Sequence, residues 1–269
     1  MVWYWPWTRK RPASRKFIDL IHAISLKWAN WEPSKHLEVG DFGTIDQDSG
    51  LFEREGNIYS YSETKDAASK FPVQLGDPED EFIAKSMNSK RINLAAGVHA
   101  DLLPAASAEF TGRWQFDSTR GALLVLVKPR LASIPNEFFR PEDIPKYQCL
   151  RGKHIITEVH TCPAFALCYS TMKGETVDLT LRATVPAAAG VSVGPHASFK
   201  WEATPVSGLS RFGSEPGAAY YPLLTVKEIR QPGNVRRDSS GGPQDSGDVW
   251  ADVEVPWGYL DEDGDEETE

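Results

Sequence analysis

Hydrophobic positions along the chain follow two periods, one near the N-terminus and another through the middle. Phe17, Ile21, Ile24, Trp28 and Trp31 recur at spacings of 4, 3, 4 and 3, with Ile18 and Leu20 widening the stripe. This spacing predicts an amphipathic helix from Ser14 to Trp31. Ser14 is the expected N-cap, and Pro33 stops the pattern. From residue 37 to residue 230 the pattern is that of β-strands. Ala122–Val127 and His154–Thr157 are nearly continuous apolar runs, expected to be buried on both faces.

Three other segments alternate. Over Glu109–Asp117, Phe110, Gly112, Trp114 and Phe116 face one way, while Glu109, Thr111, Arg113, Gln115 and Asp117 face the other. Over Glu175–Val185, Val177, Leu179, Leu181, Ala183 and Val185 oppose Asp178, Thr180, Arg182 and Thr184. After the Pro186–Gly190 turn, Ala197, Phe199, Trp201 and Ala203 oppose Ser198, Lys200, Glu202 and Thr204. Arg91–Leu103 is a looser partner for Glu109–Asp117 across Pro104. Two long hairpins are therefore expected. Strands of about 9–11 residues with one apolar face suit a transmembrane β-barrel. A half-buried hairpin in a soluble sheet alternates in the same way.

Charge divides the chain more sharply than its net value of −9 suggests. Residues 1–30 carry six cations against Asp19, a net +5, and residues 231–269 carry two cations against twelve acids, a net −10. The head is an aromatic and basic arm over residues 1–13, with Trp3, Trp5, Trp7, Lys10 and Arg11, running into the helix with Arg15, Lys16 and Lys27. A basic amphipathic helix flanked by Trp suits the headgroup layer of an anionic bilayer, though it equally suits packing on a sheet of its own chain. Residues 231–269 are poor in aliphatics and rich in Gly, Ser, Asp and Glu, so they bury too little to offset their ordering entropy. The Trp250–Tyr259 cluster is the exception and could dock onto the body.

No apolar run reaches the roughly 20 residues of a membrane-spanning helix, and no secretory leader pattern opens the chain. The three cysteines, Cys149, Cys162 and Cys168, lack a C-x-x-C spacing and point to a reducing compartment. The chain is expected to be cytosolic as made. Asp46–Gly50 resembles the start of a calcium loop, but Gly50 and Asn57 stand where ligands belong, so it reads as a hairpin turn between Phe42–Ile45 and Leu51–Arg54. The six histidines (22, 36, 99, 154, 160 and 196) show no metal-binding spacing. Cys162 and Cys168 near His160 sit in apolar surroundings, as buried structural thiols do. The chain carries no phosphate-loop pattern, and no catalytic residue, cofactor or metal is assigned. The body lacks a basic stripe interleaved with aromatics, so nucleic acid is not an expected partner.

One order of elements runs along the chain: a basic amphipathic first helix, Leu37–Phe52, Arg54–Tyr59, a hairpin, then Gly152–Val159 leading into a second hairpin. This order resembles the fungal gasdermin-like proteins, the short cell-death regulators of filamentous fungi, over about residues 15–230. The resemblance implies an α+β fold, a twisted antiparallel β-sheet with flanking helices over residues 14–230, that converts to an oligomeric transmembrane β-barrel. It implies binding of acidic phospholipids through Lys10, Arg11, Arg15, Lys16 and Lys27; Trp3, Trp5 and Trp7 are expected to join that contact from their own chemistry, as aromatic residues beside the basic helix. It also implies insertion of two hairpins, at about Arg91–Val127 and Cys168–Thr204, carrying Phe110, Trp114, Phe116, Val177, Leu179, Leu181, Phe199 and Trp201. Homo- or hetero-oligomers of related subunits would then permeabilise the plasma membrane and kill the cell, the resting form being cytoplasmic. The alternative is a soluble protein-binding module with no membrane activity.

Overall fold

The computed structural model of the protein describes residues 12–92, 108–138, 147–184, 198–204, 208–229 and 250–258. In chain order they form helix α1 (Ala13–Ser25), β1 (Trp28–Ala29), β2 (Asp41–Ile45), β3 (Phe52–Asn57), helix α2 (Lys65–Ala68), β4 (Gln74–Leu75), β5 (Glu81–Lys85) and β6 (Ser89–Ile92). Then follow β7 (Ala108–Phe116), β8 (Gly121–Val127), β9 (Arg130–Ser133), β10 (His154–Cys162), β11 (Ala164–Ser170), β12 (Thr176–Thr184), β13 (Ser198–Ala203), β14 (Leu209–Gly213), β15 (Tyr220–Ile229) and β16 (Trp250–Asp252). The architecture is mostly antiparallel β-sheet with few helices, and no closed barrel forms among the described residues.

The strands build three sheets where a single one was expected. A large sheet runs β1-β15-β10-β2-β3, with β16 also on β15, β9 also on β10, and β4 on β9. A middle sheet runs β14-β11-β8-β5, and an outer sheet runs β13-β12-β7-β6. Within the large sheet, β4, β9, β10 and β15 are successive neighbours. That order repeats as β5, β8, β11, β14 in the middle sheet and as β6, β7, β12, β13 in the outer one. The chain therefore carries one four-stranded antiparallel ribbon that passes through all three sheets, each strand bending twice. Residues unsuited to a ladder mark two of the bends: Lys128 at φ 49 beside Pro129, and Pro163 between β10 and β11.

The two central strands of the middle sheet are apolar on both faces, as the run Ala122–Val127 predicts for β8. Every residue of β8 and β11 is buried. Ala122, Leu124, Leu126, Phe165 and Leu167 pack towards α1 and the large sheet, while Leu123, Val125, Val127, Ala164 and Ala166 pack towards the outer sheet. Alternation along β8 and β11 thus feeds two cores from one layer.

Helix α1 differs from its predicted bounds at both ends. Pro12, with extended φ/ψ, precedes its first turn, and the Ser14 hydroxyl instead donates to the Ser49 carbonyl at 2.9 Å. The helix stops at Ser25, where Leu26 turns left-handed at φ 55 and returns its N–H to the His22 carbonyl at 2.8 Å. Trp28 and Trp31 therefore leave the helical stripe. Trp28 enters β1, paired with Leu224, because β15 offers an unfilled ladder there. Both rings are still buried, alongside Phe17, Ile18 and Ile21. The turn at Asp46–Gly50 joins β2 to β3, and the Asp46 carboxylate accepts the Ser49 N–H at 2.9 Å. Hydrogen bonds from Ser49, its hydroxyl's first and its N–H's second, hold the Asp46 pKa below the ordinary carboxylate range.

Candidate functional site

The outer sheet gathers the alternating strands, and its pairing goes beyond two separate hairpins. β7 pairs with β12 along Thr111–Gln115 and Thr176–Thr180, so the hairpins lie side by side in one sheet. β12 pairs with β13 as expected. The predicted Arg91–Leu103 partner begins earlier, at Ser89, whose pairing opposite Phe116 runs to Ile92 opposite Arg113. Residues 93–107 and 185–197 lie outside the described residues, and so does the side chain of Phe199.

The apolar face of this sheet is closed against the middle sheet. Trp114, Phe116, Val177, Leu179 and Leu181 are fully buried, Phe110 nearly so, and Trp201 partly. Trp114 lies stacked on Phe110, 5.9 Å between centroids. Its ring also overlies Gly112, where an added Cβ would come within 2.1 Å of it. The Trp201 indole donates to the Gly213 carbonyl at 3.1 Å, tying β13 to β14. On the opposite face, Arg113 holds Asp178 through two hydrogen bonds across β7 and β12, and Arg182 donates to Glu202 at 2.9 Å. Those hydrogen bonds from Arg113 to the Asp178 carboxylate raise the arginine above its already high pKa.

Short connections join outer strands to the middle strands beneath them at residues 86–88, 117–120 and 171–175, while between β13 and β14 residues 205–207 lie outside the described residues. Backbone hydrogen bonds stitch these connections to their neighbours. Asp117 N–H donates to Asn88 O at 2.7 Å, Gly174 N–H to Phe116 O at 2.7 Å, and Thr204 N–H to Asp178 O at 3.1 Å.

The head and the tail meet on α1. The apolar side of the helix faces the core, and its Arg15 is only 1% exposed, with the guanidinium 4.5 Å over the ring of Trp257. Trp257 also lies 5.7 Å from the ring of Trp28 and donates through Nε1 to Asp19 Oδ1 at 3.3 Å. The second Asp19 oxygen accepts from Arg120 at 2.7 Å. Gly50, at φ 73, forms the floor, where a Cβ would stand 3.2 Å from Trp257. Upstream of that ring, β16 pairs with β15 through Asp252–Lys227, Ala251–Glu228 and Trp250–Ile229.

The proposed lipid contacts divide among three settings. Trp3, Trp5, Trp7, Lys10 and Arg11 lie outside the described residues. Lys16 is half-buried on α1. Arg15 is under Trp257, and Lys27 binds Glu158 at 2.8 Å and the Thr225 hydroxyl at 3.1 Å. Burial pushes the Glu158 carboxyl up, but hydrogen bonds from Lys27 and Thr225 together with the Lys27 charge hold it below the ordinary range. In this conformation, then, Arg15 and Lys27 are turned to partners within the chain.

Cys162 and Cys168, near His160 in the sequence, are buried, and Cys149 is half-buried. Burial pushes Cys162 and Cys168 up to about 12 and Cys149 up to about 11. Burial also lowers His160 to about 4. A cleft of about 360 Å³ is lined by Leu37, Val39, Tyr59, Val73, Ala132 and Val159, with Glu38, Asn57 and Thr161 completing its wall. Among the described residues, no group of three metal-ligating side chains comes together, and no helix is long and apolar enough to cross a membrane. Comparison with protein-family models, curated proteins and solved structures finds no match to this chain.

Proposed function

We propose that the protein is a membrane-permeabilising protein, held here in a closed conformation, that binds anionic bilayers and inserts the two hairpins of its outer sheet as part of an oligomeric β-barrel. The observation that carries this reading is the folded ribbon. The four outer strands continue directly into the four middle strands in the same order, so the outer sheet can swing away without any strand changing neighbours. β7 and β12 each hold nine residues, the length a tilted strand needs to cross the hydrocarbon core, about 9–11 residues. Their apolar faces would pass from the middle sheet to lipid, with Arg113, Asp178 and Arg182 turned to a polar lumen. Among the described residues, β6 and β13 each have one strand neighbour. Such open edges favour joining subunits side by side, as a barrel of several copies requires.

The resemblance to gasdermin-like proteins rests on the same order of helix and hairpins. Cell death through the plasma membrane is the outcome it implies, with acidic phospholipid and further copies or related subunits as partners. The rival reading, a soluble protein-binding module, draws on the full burial of the same apolar faces. Planar bilayers containing phosphatidylserine separate the two. Stepwise conductance after addition of protein supports insertion, and a silent bilayer under conditions where protein sediments with the lipid refutes it.

A further inference from the structure

The edge of β15 is shared by two segments placed end to end. β1 occupies it at Leu223 and Leu224, and β16 occupies it from Lys227 to Ile229. The second occupant comes from far along the chain, after residues 230–249, although it begins directly opposite the last residue of β15. Three paired residues make a weak ladder by themselves. What fixes the segment lies beyond it: Val253 is buried, its N–H donates to Val226 O at 3.4 Å, and Trp257 fills the hollow formed by Arg15, Asp19, Trp28 and Gly50. Lys227 faces Asp252 at 3.6 Å. Backbone pairing along a sheet edge, one charged pair and one aromatic anchor in a preformed hollow are the parts of a peptide-recognition site.

We infer that the β15 edge and the Trp257 hollow form a peptide-docking site that recognises the extended segment Trp250–Gly258 and binds it even when it is no longer covalently joined to the body. The ligand it fits is an extended peptide with an acidic residue on the ladder and a tryptophan five positions later. The consequence is regulatory. Cutting the connection over residues 230–249 lowers the local concentration of the segment but leaves it seated, so displacement by a competing peptide or by another copy's tail is a separate step. The site is defined by the closed body alone and does not depend on what the hairpins do at a membrane.

The test uses the full chain with a site-specific protease sequence placed within residues 230–249, cut in solution without lipid. We expect the C-terminal fragment to co-elute with the body on gel filtration. A fluorescent synthetic peptide spanning residues 248–260 should replace it, and the same peptide with Trp257→Ala should bind at least about tenfold more weakly. Because the alteration lies in the peptide, the body keeps its fold. Separation of the fragment on cutting, or equal binding of both peptides, overturns the inference. Neither readout involves vesicles, so a failed docking site and a failed membrane reading are distinguishable.

Discussion

The Arg15 guanidinium stacks 4.5 Å above the ring of Trp257, so a cation of the basic head is covered by an aromatic residue of the acidic tail. The two are separated by nearly the whole chain, and their contact is a packed one. Arg15 is almost fully buried, and the Trp257 indole is bonded to Asp19 one helical turn further on. Stacking of this kind contributes about 0.5–2 kcal/mol beyond area burial. Burial of the Trp257 ring itself stabilises the contact more than the stacking does.

Removing that ring should loosen the tail. Trp257→Ala is expected to cost about 3–5 kcal/mol in denaturant unfolding, the range for truncating a buried large aromatic. If the tail restrains the head, the same variant should also speed dye release from anionic liposomes. A loss below about 1 kcal/mol would show that the ring is not an anchor.

Charge reversal in the head must avoid the buried cation. Arg15→Glu would place a carboxylate under Trp257 and beside Asp19, so loss of lipid binding there could not be told from loss of fold. Lys10, Arg11 and Lys16 reversed together to Glu should abolish sedimentation with phosphatidylserine liposomes while leaving the melting temperature within a few degrees. Wild-type binding should weaken as salt rises, because exposed charges are screened over about 8 Å at physiological ionic strength. Undiminished sedimentation of the triple variant would remove the lipid role from the head.

The two faces of β12 should respond differently. Thr180 points outward and is half-exposed, so Thr180→Arg should change stability by under about 1 kcal/mol and leave leakage intact. Leu179 is fully buried between the outer and middle sheets. Leu179→Arg should cost on the order of 3–5 kcal/mol in the closed form, and in the inserted form the same charge on a lipid-facing position costs about 2–4 kcal/mol. Equal leakage by both variants, measured below their melting temperatures, would contradict the barrel assignment.

Acid should weaken the fold partly through His160. Its burial beside Phe82 favours the neutral ring, with its pKa lowered from 6.5 to about 4. The unfolded chain takes up the proton first as pH falls, so stability is complete above about pH 6.5 and declines towards pH 4, by about 3 kcal/mol at most. Burial lowers His22 and His154 in the same direction. Urea unfolding between pH 7 and 4 should show a shallower decline for His160→Asn than for the wild type, and parallel curves would exclude the histidine as a source.

Periodicity gave strands where side chains alternate and a helix where they recur every three to four residues. The outward set Thr111, Arg113 and Gln115 and the inward set Phe110, Trp114 and Phe116 stand as the pattern implies. The end of α1 was not readable, because Trp28 fits the helical stripe and also fits a free position on β15, and only long-range pairing decides. The same holds for the side-by-side hairpins. Nothing local in Thr111 or Thr180 states that they face each other. The Trp250–Tyr259 cluster stood out as apolar within an acidic tail, but the seat of its Trp257 among Arg15, Asp19, Trp28 and Gly50 is assembled from three separate stretches of chain. That seat has no local signature beyond a glycine in a turn.

Dye release from anionic vesicles, compared for the full chain and a chain ending at Arg230, decides whether the protein permeabilises membranes and whether its tail restrains it. The account predicts release from phosphatidylserine vesicles and little from neutral ones, faster when residues 231–269 are absent. Intact vesicles with both forms, although both bind and remain folded, would contradict it.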